Sequence, residues 1–164
     1  MDLRNRPRIG VMGPSACGPH PLHLAAEVGR LIARNGAILI CGGRGGVMEA
    51  AACGAKEEGG VTVGVLPGSS ASHANPYIDI PVVTGMGDAR NCINVLTSQA
   101  IIAIHGSYGT LSEIALALKC GTPVIALETW SLIPPGPGLP PEIILAETPQ
   151  DAVEAALAAI RRRG

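Results

Sequence analysis

Short apolar runs alternate along the chain with longer stretches in which apolar residues recur at helical spacing. Arg8–Gly13 (RIGVMG), Ala37–Cys41 (AILIC), Val61–Leu66 (VTVGVL), Ile80–Val83, Ala100–His105, Pro123–Leu127 and Ile143–Leu145 read as strands. Most are nearly continuous in Val, Ile, Leu and Ala, the pattern of strands covered on both faces. Between them, Leu22, Ala25, Ala26, Val28, Leu31 and Ile32 mark a helix over 21–35, closed by Asn35-Gly36. A small-residue helix runs from Val47 to Glu58 and stops at Gly59-Gly60. Asp88 is placed to cap a helix reaching about Ser98, Thr110–Cys120 forms a helix ended by Gly121, and Pro149–Arg163 forms a last amphipathic helix. Residues 68–79 and 128–141 read as loops, the second holding five of the 14 prolines.

Strand-helix alternation of this kind predicts an α/β fold: a single-domain, Rossmann-like, doubly wound parallel sheet with helices on both faces, spanning residues 1–164. In such sheets ligands bind beyond the carboxyl ends of the strands. Three of those ends carry glycine-bearing loops that open onto a helix: Gly13-Pro14-Ser15, Gly42-Gly43-Arg44-Gly45-Gly46 and Gly106-Ser107-Tyr108-Gly109-Thr110. Glycine lets the backbone approach a ligand, and the N–H groups of a helix start favour an anion. The loops therefore suggest a phosphate-bearing small molecule. Tight turns in a compact fold are the alternative reading.

Composition narrows the classes. The chain is 47% hydrophobic and 15% charged with a net charge of -1, which excludes a disordered chain and gives no basic surface for nucleic acid. Aromatic residues are limited to Tyr77, Tyr108 and Trp130, too few for a platform that stacks single-stranded bases. No apolar run is long enough to span a membrane, and the charged segment from Met1 to Arg8 does not read as a secretory signal. The five cysteines are scattered without a C-x-x-C pair, so a reducing, cytoplasmic setting is expected.

Two residues carry candidate chemistry. Thr110-x-x-Glu113 fits a capping box, in which Glu113 only reaches back to the helix start. The same position places a carboxylate beside the anion loop, suited to a sugar or a developing cation rather than to phosphate. Arg90, near the start of another helix, is either a surface ion-pair residue or a fork that holds phosphate or orients Glu113.

Gly106-Ser107-Tyr108-Gly109-Thr110-Leu111-Ser112-Glu113 resembles the P-G-G-x-G-T-x-x-E signature of the LONELY GUY (LOG) family. Gly42 to Met48 resembles its second glycine loop, and Arg90 falls at its functional arginine. From Ile9 to Leu127 the sequence is more similar to the branch that contains the molybdenum cofactor carrier proteins, notably in Ile9–Gly13, Gly64–Gly68, Ala89-Arg90-Asn91 and Glu113–Lys119. The resemblance implies a Rossmann-like fold and a molybdopterin-type cofactor or nucleotide held at Gly13, Ser15, the 42–46 and 106–110 loops, and Arg90. It also implies a homodimer or homotetramer. In the hydrolase branch, Arg90 and Glu113 would be the catalytic pair that releases a base from a nucleoside 5′-monophosphate. His105 and Ser107 replace a proline and a glycine of the signature, Asn91 stands at the usual lysine, and Gly87 takes the place of a histidine. Losing a cation and a histidine weighs against hydrolysis more than against binding. A carrier is the first expectation, a hydrolase the second, and a partner-binding scaffold with degenerate loops the third.

Cys17-x-x-His20-x-x-His23 is a weak metal-like spacing, with Pro19 and Pro21 expected to make it irregular; a polar loop facing the crevice is the favoured reading, and no metal is assigned. Cys53, Cys92 and Cys120 are expected to pack as small hydrophobes, and His105 either lines the site or caps its strand. The helices over 91–98 and 110–120 are apolar on most sides, which predicts burial against a second copy.

Overall fold

A computed structural model describes residues 3–133 and 143–163. Strands β1 (Arg8–Met12), β2 (Ile38–Cys41), β3 (Val61–Leu66), β4 (Ile80–Val83), β5 (Ala100–Ile104), β6 (Val124–Leu127) and β7 (Ile143–Ala146) form one seven-stranded sheet in the order β4-β3-β2-β1-β5-β6-β7. Every pairing is parallel, for example Gly10 with Ile40 on one side and Gly10 with Ile101 on the other. The chain builds outward from β1 to β4, then returns to place β5 against the free side of β1. The order therefore reverses between β1 and β5, the place where doubly wound sheets open a ligand crevice.

Helices α1 (Pro19–Arg34), α2 (Val47–Glu57) and α5 (Pro149–Arg161) cover one face; α3 (Asn91–Thr97) and α4 (Tyr108–Cys120) cover the other. Strand residues alternate between them: Ile9, Val11, Ile102 and Ile104 join the first core, Met12, Ile101 and Ala103 the second. This two-sided burial accounts for the near-continuous apolar strands. β4 departs from it, with Ile80 and Val83 about half exposed at 45% and 44%. It is an edge strand, and Pro81 occupies it without breaking an internal ladder.

The expected strands and helices are all present. Helix α1 begins two residues earlier than its apolar pattern, because Pro19 and Pro21 sit in its first turn, where no N–H is required. They make that segment helical rather than irregular. The expected helix from Asp88 to Ser98 is divided: a 3-10 turn over Gly87–Arg90 precedes α3, and Asp88 lies inside the turn instead of capping a helix. The 128–141 loop is described only to Ile133. None of the described helices is long and apolar enough to cross a membrane.

Helices α1 and α2 meet through glycine. A Cβ on Gly29 would lie 2.0 Å from the Ala51 carbonyl oxygen, and one on Gly54 would lie 2.0 Å from that of Ala26. These neighbours are backbone, so the helices would have to separate. Gly29→Ala is therefore expected to destabilise by about 1–3 kcal/mol in chemical denaturation, despite the roughly 1 kcal/mol helix-propensity advantage of alanine. An unchanged or raised midpoint would contradict this close crossing.

Candidate functional site

The glycine loops converge on one rim. The Val47 N–H donates to the Pro14 carbonyl at 3.0 Å, joining the loops that follow β1 and β2. Gly46 has φ +65, and a Cβ there would lie 2.3 Å from the same carbonyl, so only glycine fits. Gly13 presses against β5: a Cβ on it would meet the Ile104 carbonyl at 2.8 Å. Asn75, almost fully buried, holds the second loop in place. Its N–H donates to the Gly43 carbonyl and its Nδ2 to the Arg44 carbonyl, both at 2.9 Å. Asn75 lies in the loop expected over 68–79, and the only local signal it carries is the Asn-Pro step, which marks a turn and not a role at the rim. The side chains of Ser15 and Arg44 are exposed beside these loops.

The loop after β5 is shorter than the glycine pattern suggested. Only His105, Gly106 and Ser107 precede α4; Tyr108, Gly109 and Thr110 are its first turn. His105 has the left-handed φ of 54, and its carbonyl accepts a hydrogen bond from the Thr129 hydroxyl. Trp130 covers this loop. Its Nε1 donates to the Ser107 carbonyl at 3.2 Å, and its indole lies where a Cβ on Gly106 would be 2.5 Å away. Tyr108 stacks on the same indole with ring centroids 6.1 Å apart.

The capping-box reading of Thr110 and Glu113 is overturned. Ser107 is the N-cap of α4 without a side-chain bond to the helix N–H groups, Thr110 lies inside the first turn with its hydroxyl 3.5 Å from that of Ser107, and Glu113 turns inward. Glu113 is 7% exposed, and its Oε1 accepts from Asn94 Nδ2 at 3.0 Å. Burial pushes its carboxyl up to about 7, opposed by the Asn94 hydrogen bond and by the charge of Arg90. Arg90, at the junction of the 3-10 turn and α3, is laid over Gly42: a Cβ there would be 2.0 Å from Nη1 and 2.7 Å from Cζ. Burial lowers the proton affinity of the Arg90 guanidinium, while Glu113 and Cys41 favour its charge. No ion pair within 4 Å joins Arg90 and Glu113 among the described residues, so neither neutralises the other at contact distance. The surface ion-pair reading of Arg90 does not hold.

Cys41, at the end of β2, completes the floor. It is fully buried, accepts from the Gly43 N–H at 3.4 Å, and has its thiol pushed up to about 11 by burial. A thiol in that state is inert as a nucleophile near neutral pH. On the outer side, Asn91 Nδ2 donates to the Ser112 hydroxyl at 3.0 Å, and that hydroxyl donates to the Gly109 carbonyl at 2.7 Å. The residue standing at the hydrolases' usual lysine thus ties α3 to the first turn of α4. Asn94, which sequence reasoning passed over, is fully buried within a helix otherwise read as apolar.

Cys17, His20 and His23 are not gathered into a metal site. His20 Nε2 lies 2.9 Å from Glu128 Oε2, and His23 is exposed. Among the described residues no three His, Cys, Asp or Glu side chains come together in a way that could hold a metal. Cys53 and Cys92 are half-buried, whereas Cys120 is exposed at the end of α4 and does not pack as expected. Leu96 and Tyr108 expose apolar surface on α3 and α4, at 64% and 84%.

Known proteins share this fold. The molybdenum cofactor binding protein of Rippkaea orientalis superposes with a TM-score of 0.86 at 39% identity, covering 96% of this chain and 99% of that one. The molybdenum cofactor carrier protein of Chlamydomonas reinhardtii gives 0.82 at 38% identity, over 95% and 99%. A cytokinin riboside 5′-monophosphate phosphoribohydrolase of Mycobacterium tuberculosis is 34% identical over 128 residues, 70% of this chain and 68% of the relative. The profile of the SLOG cluster4 family matches residues 6–153, and the chain belongs to that family.

Proposed function

We propose that this protein is a cytoplasmic carrier that binds a phosphorylated small molecule of the molybdenum-cofactor type at the shared rim. The observation that carries the reading is the Arg90 guanidinium laid over Gly42 where the loops after β1 and β2 meet. Amides of Gly42, Arg44, Gly45 and Gly46, with those of Gly13, Ser15, Gly106, Ser107, Tyr108, Gly109 and Thr110, would hold the anionic group, while the Gly43 N–H stays with Cys41 and shapes the loop; Arg90 would supply the paired donors. The similarity to cofactor-binding and carrier proteins over almost the whole chain supports the choice of ligand. The test is retention: protein incubated with molybdopterin-type cofactor and passed through a desalting column should keep molybdenum and pterin fluorescence in equal amounts. Loss of both from the protein fraction would overturn the reading.

The buried carboxyl of Glu113 favours a second reading, phosphoribohydrolysis, in which it would stabilise the oxocarbenium-like sugar and Arg90 would hold phosphate. Incubation with purine and pyrimidine nucleoside monophosphates tests it. On the carrier reading no base is released; turnover abolished by Glu113→Ala would replace that reading with the hydrolase.

The half-exposed edge of β4 and the exposed Leu96 and Tyr108 support self-association as a homodimer or homotetramer. Light scattering at micromolar concentration is expected to give a mass at least twice that of the chain, and a pure monomer would refute it.

A further inference from the structure

Among the described residues, two buried side-chain atoms lack a hydrogen-bond partner: Arg90 Nε and Asn94 Oδ1. Both belong to the cluster around Glu113. An idle buried acceptor costs about 1–3 kcal/mol, so an amide placed there for packing alone is a poor choice. The Asn94 amide uses one half only: Nδ2 donates to Glu113 Oε1 at 3.0 Å, and Oδ1 waits unused. Rotating the amide by half a turn exchanges the two atoms. Oδ1 then accepts from the O–H of a protonated Glu113, and Nδ2 takes the idle position. Asparagine can thus partner the carboxylate and the carboxylic acid in the same place; leucine can partner neither.

The surroundings allow Glu113 to exist in both states. The charged and titratable groups that act on it are Arg90, at the start of α3, and Cys41, at the end of β2, whose thiol stays neutral. β1 and β5 contribute apolar Met12, Ile101 and Ala103 to this face, and Ile114 and Ala117 of α4 are apolar as well. Burial raises the carboxyl, and the Asn94 hydrogen bond and then the Arg90 charge oppose it, which leaves the proton poised near neutrality.

We infer that Asn94 is a positioning residue that lets Glu113 change protonation state in place, so that binding of an anion at the rim is accompanied by uptake of one proton. The anion half of this inference rests on the binding reading above; the Asn94 half does not. An arriving anion repels the carboxylate, and taking a proton onto Glu113 removes that repulsion. Affinity for an anion of fixed charge must then fall as pH rises through about 7, by at most tenfold per pH unit.

Sulfate is the probe for the pH series because its charge is constant over this range; AMP, whose phosphate itself titrates at about pH 6, serves only to test binding of a nucleotide. Calorimetric titration between pH 6 and 8.5, in buffers of different ionisation heat, should show proton uptake and a roughly tenfold loss of sulfate affinity from pH 6 to 8. Glu113→Gln should abolish both. In unliganded protein, carbon-13 NMR of the Glu113 carboxyl should show its midpoint rising by about one pH unit in Asn94→Leu, since of the two bonds lost the charge-assisted one to the carboxylate is the stronger. If Asn94→Leu does not fold, Asn94→Asp keeps the shape and should split the titration into two steps, as paired carboxyls sharing a proton do. An unmoved midpoint in the folded variant overturns the role of Asn94. Sulfate binding without proton uptake overturns the coupling while leaving the anion reading intact. If neither sulfate nor AMP binds at any pH, the anion reading fails and the coupling with it, and the carboxyl titration still decides Asn94 separately.

Discussion

Replacing Glu113 by glutamine is expected to stabilise the protein at alkaline pH. The folded-state carboxyl sits at about 7, above its ordinary 4.5, because burial disfavours the charge. A carboxyl raised in this way contributes stability that is fully present below pH 4.5 and is lost as pH rises to about 7. Glutamine keeps the acceptor for Asn94 Nδ2 and never ionises. The difference in unfolding free energy between variant and wild type should widen by roughly 3 kcal/mol from pH 4.5 to pH 8, since each pH unit between the folded and unfolded midpoints is worth about 1.4 kcal/mol. Urea denaturation at the two pH values measures it, and the titration of every other group cancels in the difference. A gap that stays constant would mean that Glu113 is solvated. A large gap would show a carboxylate retained against stability, as functional sites commonly do.

Gly42→Ala is expected to separate binding from folding. The added Cβ would fall 2.0 Å from Arg90 Nη1 and 2.6 Å from Met48 Sδ, both ends of flexible side chains. Backbone is not in the way, so the fold should survive with a loss of about 1 kcal/mol. The guanidinium, however, must leave its place over the loop. Losing a charge-assisted, forked contact costs about 2–3 kcal/mol, so affinity for AMP or sulfate should fall roughly thirty- to a hundredfold. Arg90→Lys should fall by a similar factor, because a point charge does not reproduce the fork. Unchanged affinity in Gly42→Ala, with the melting temperature intact, would remove Arg90 from the site.

The sheet was legible because its strands are apolar on both faces and its helices are separated by glycine and proline. Those signals are local in the chain, and so is the rule that places a crevice at the reversal of strand order. The interior of the site was less legible. Thr110-x-x-Glu113 and Thr148-x-x-Asp151 carry one pattern with two outcomes. Thr148 is the extended N-cap of α5, followed by Pro149, and makes the reciprocal bonds with Asp151. Thr110 is already helical because α4 starts at Tyr108, which rotates Glu113 toward Asn94 instead of the helix end. Pro149 marks Thr148 as a cap, whereas Thr110 has no proline after it and Ser107, three residues earlier, takes the N-cap of α4; the packing of α3 on α4 then receives Glu113. Asn94 and Asn75 escaped notice for a related reason, since a lone asparagine acquires meaning only from the distant atoms it meets. Thr148→Ala should cost about 1 kcal/mol in thermal denaturation, and an effect near zero would count against that cap.

The cover that Trp130 places over Gly106 and Ser107 has a practical consequence. The chain has one tryptophan, so its entire indole emission originates beside the loop that opens α4. Arrival of a guest there would change the polarity and quenching around that fluorophore. Occupancy of the rim can therefore be followed optically in unlabelled protein, at concentrations far below those calorimetry needs.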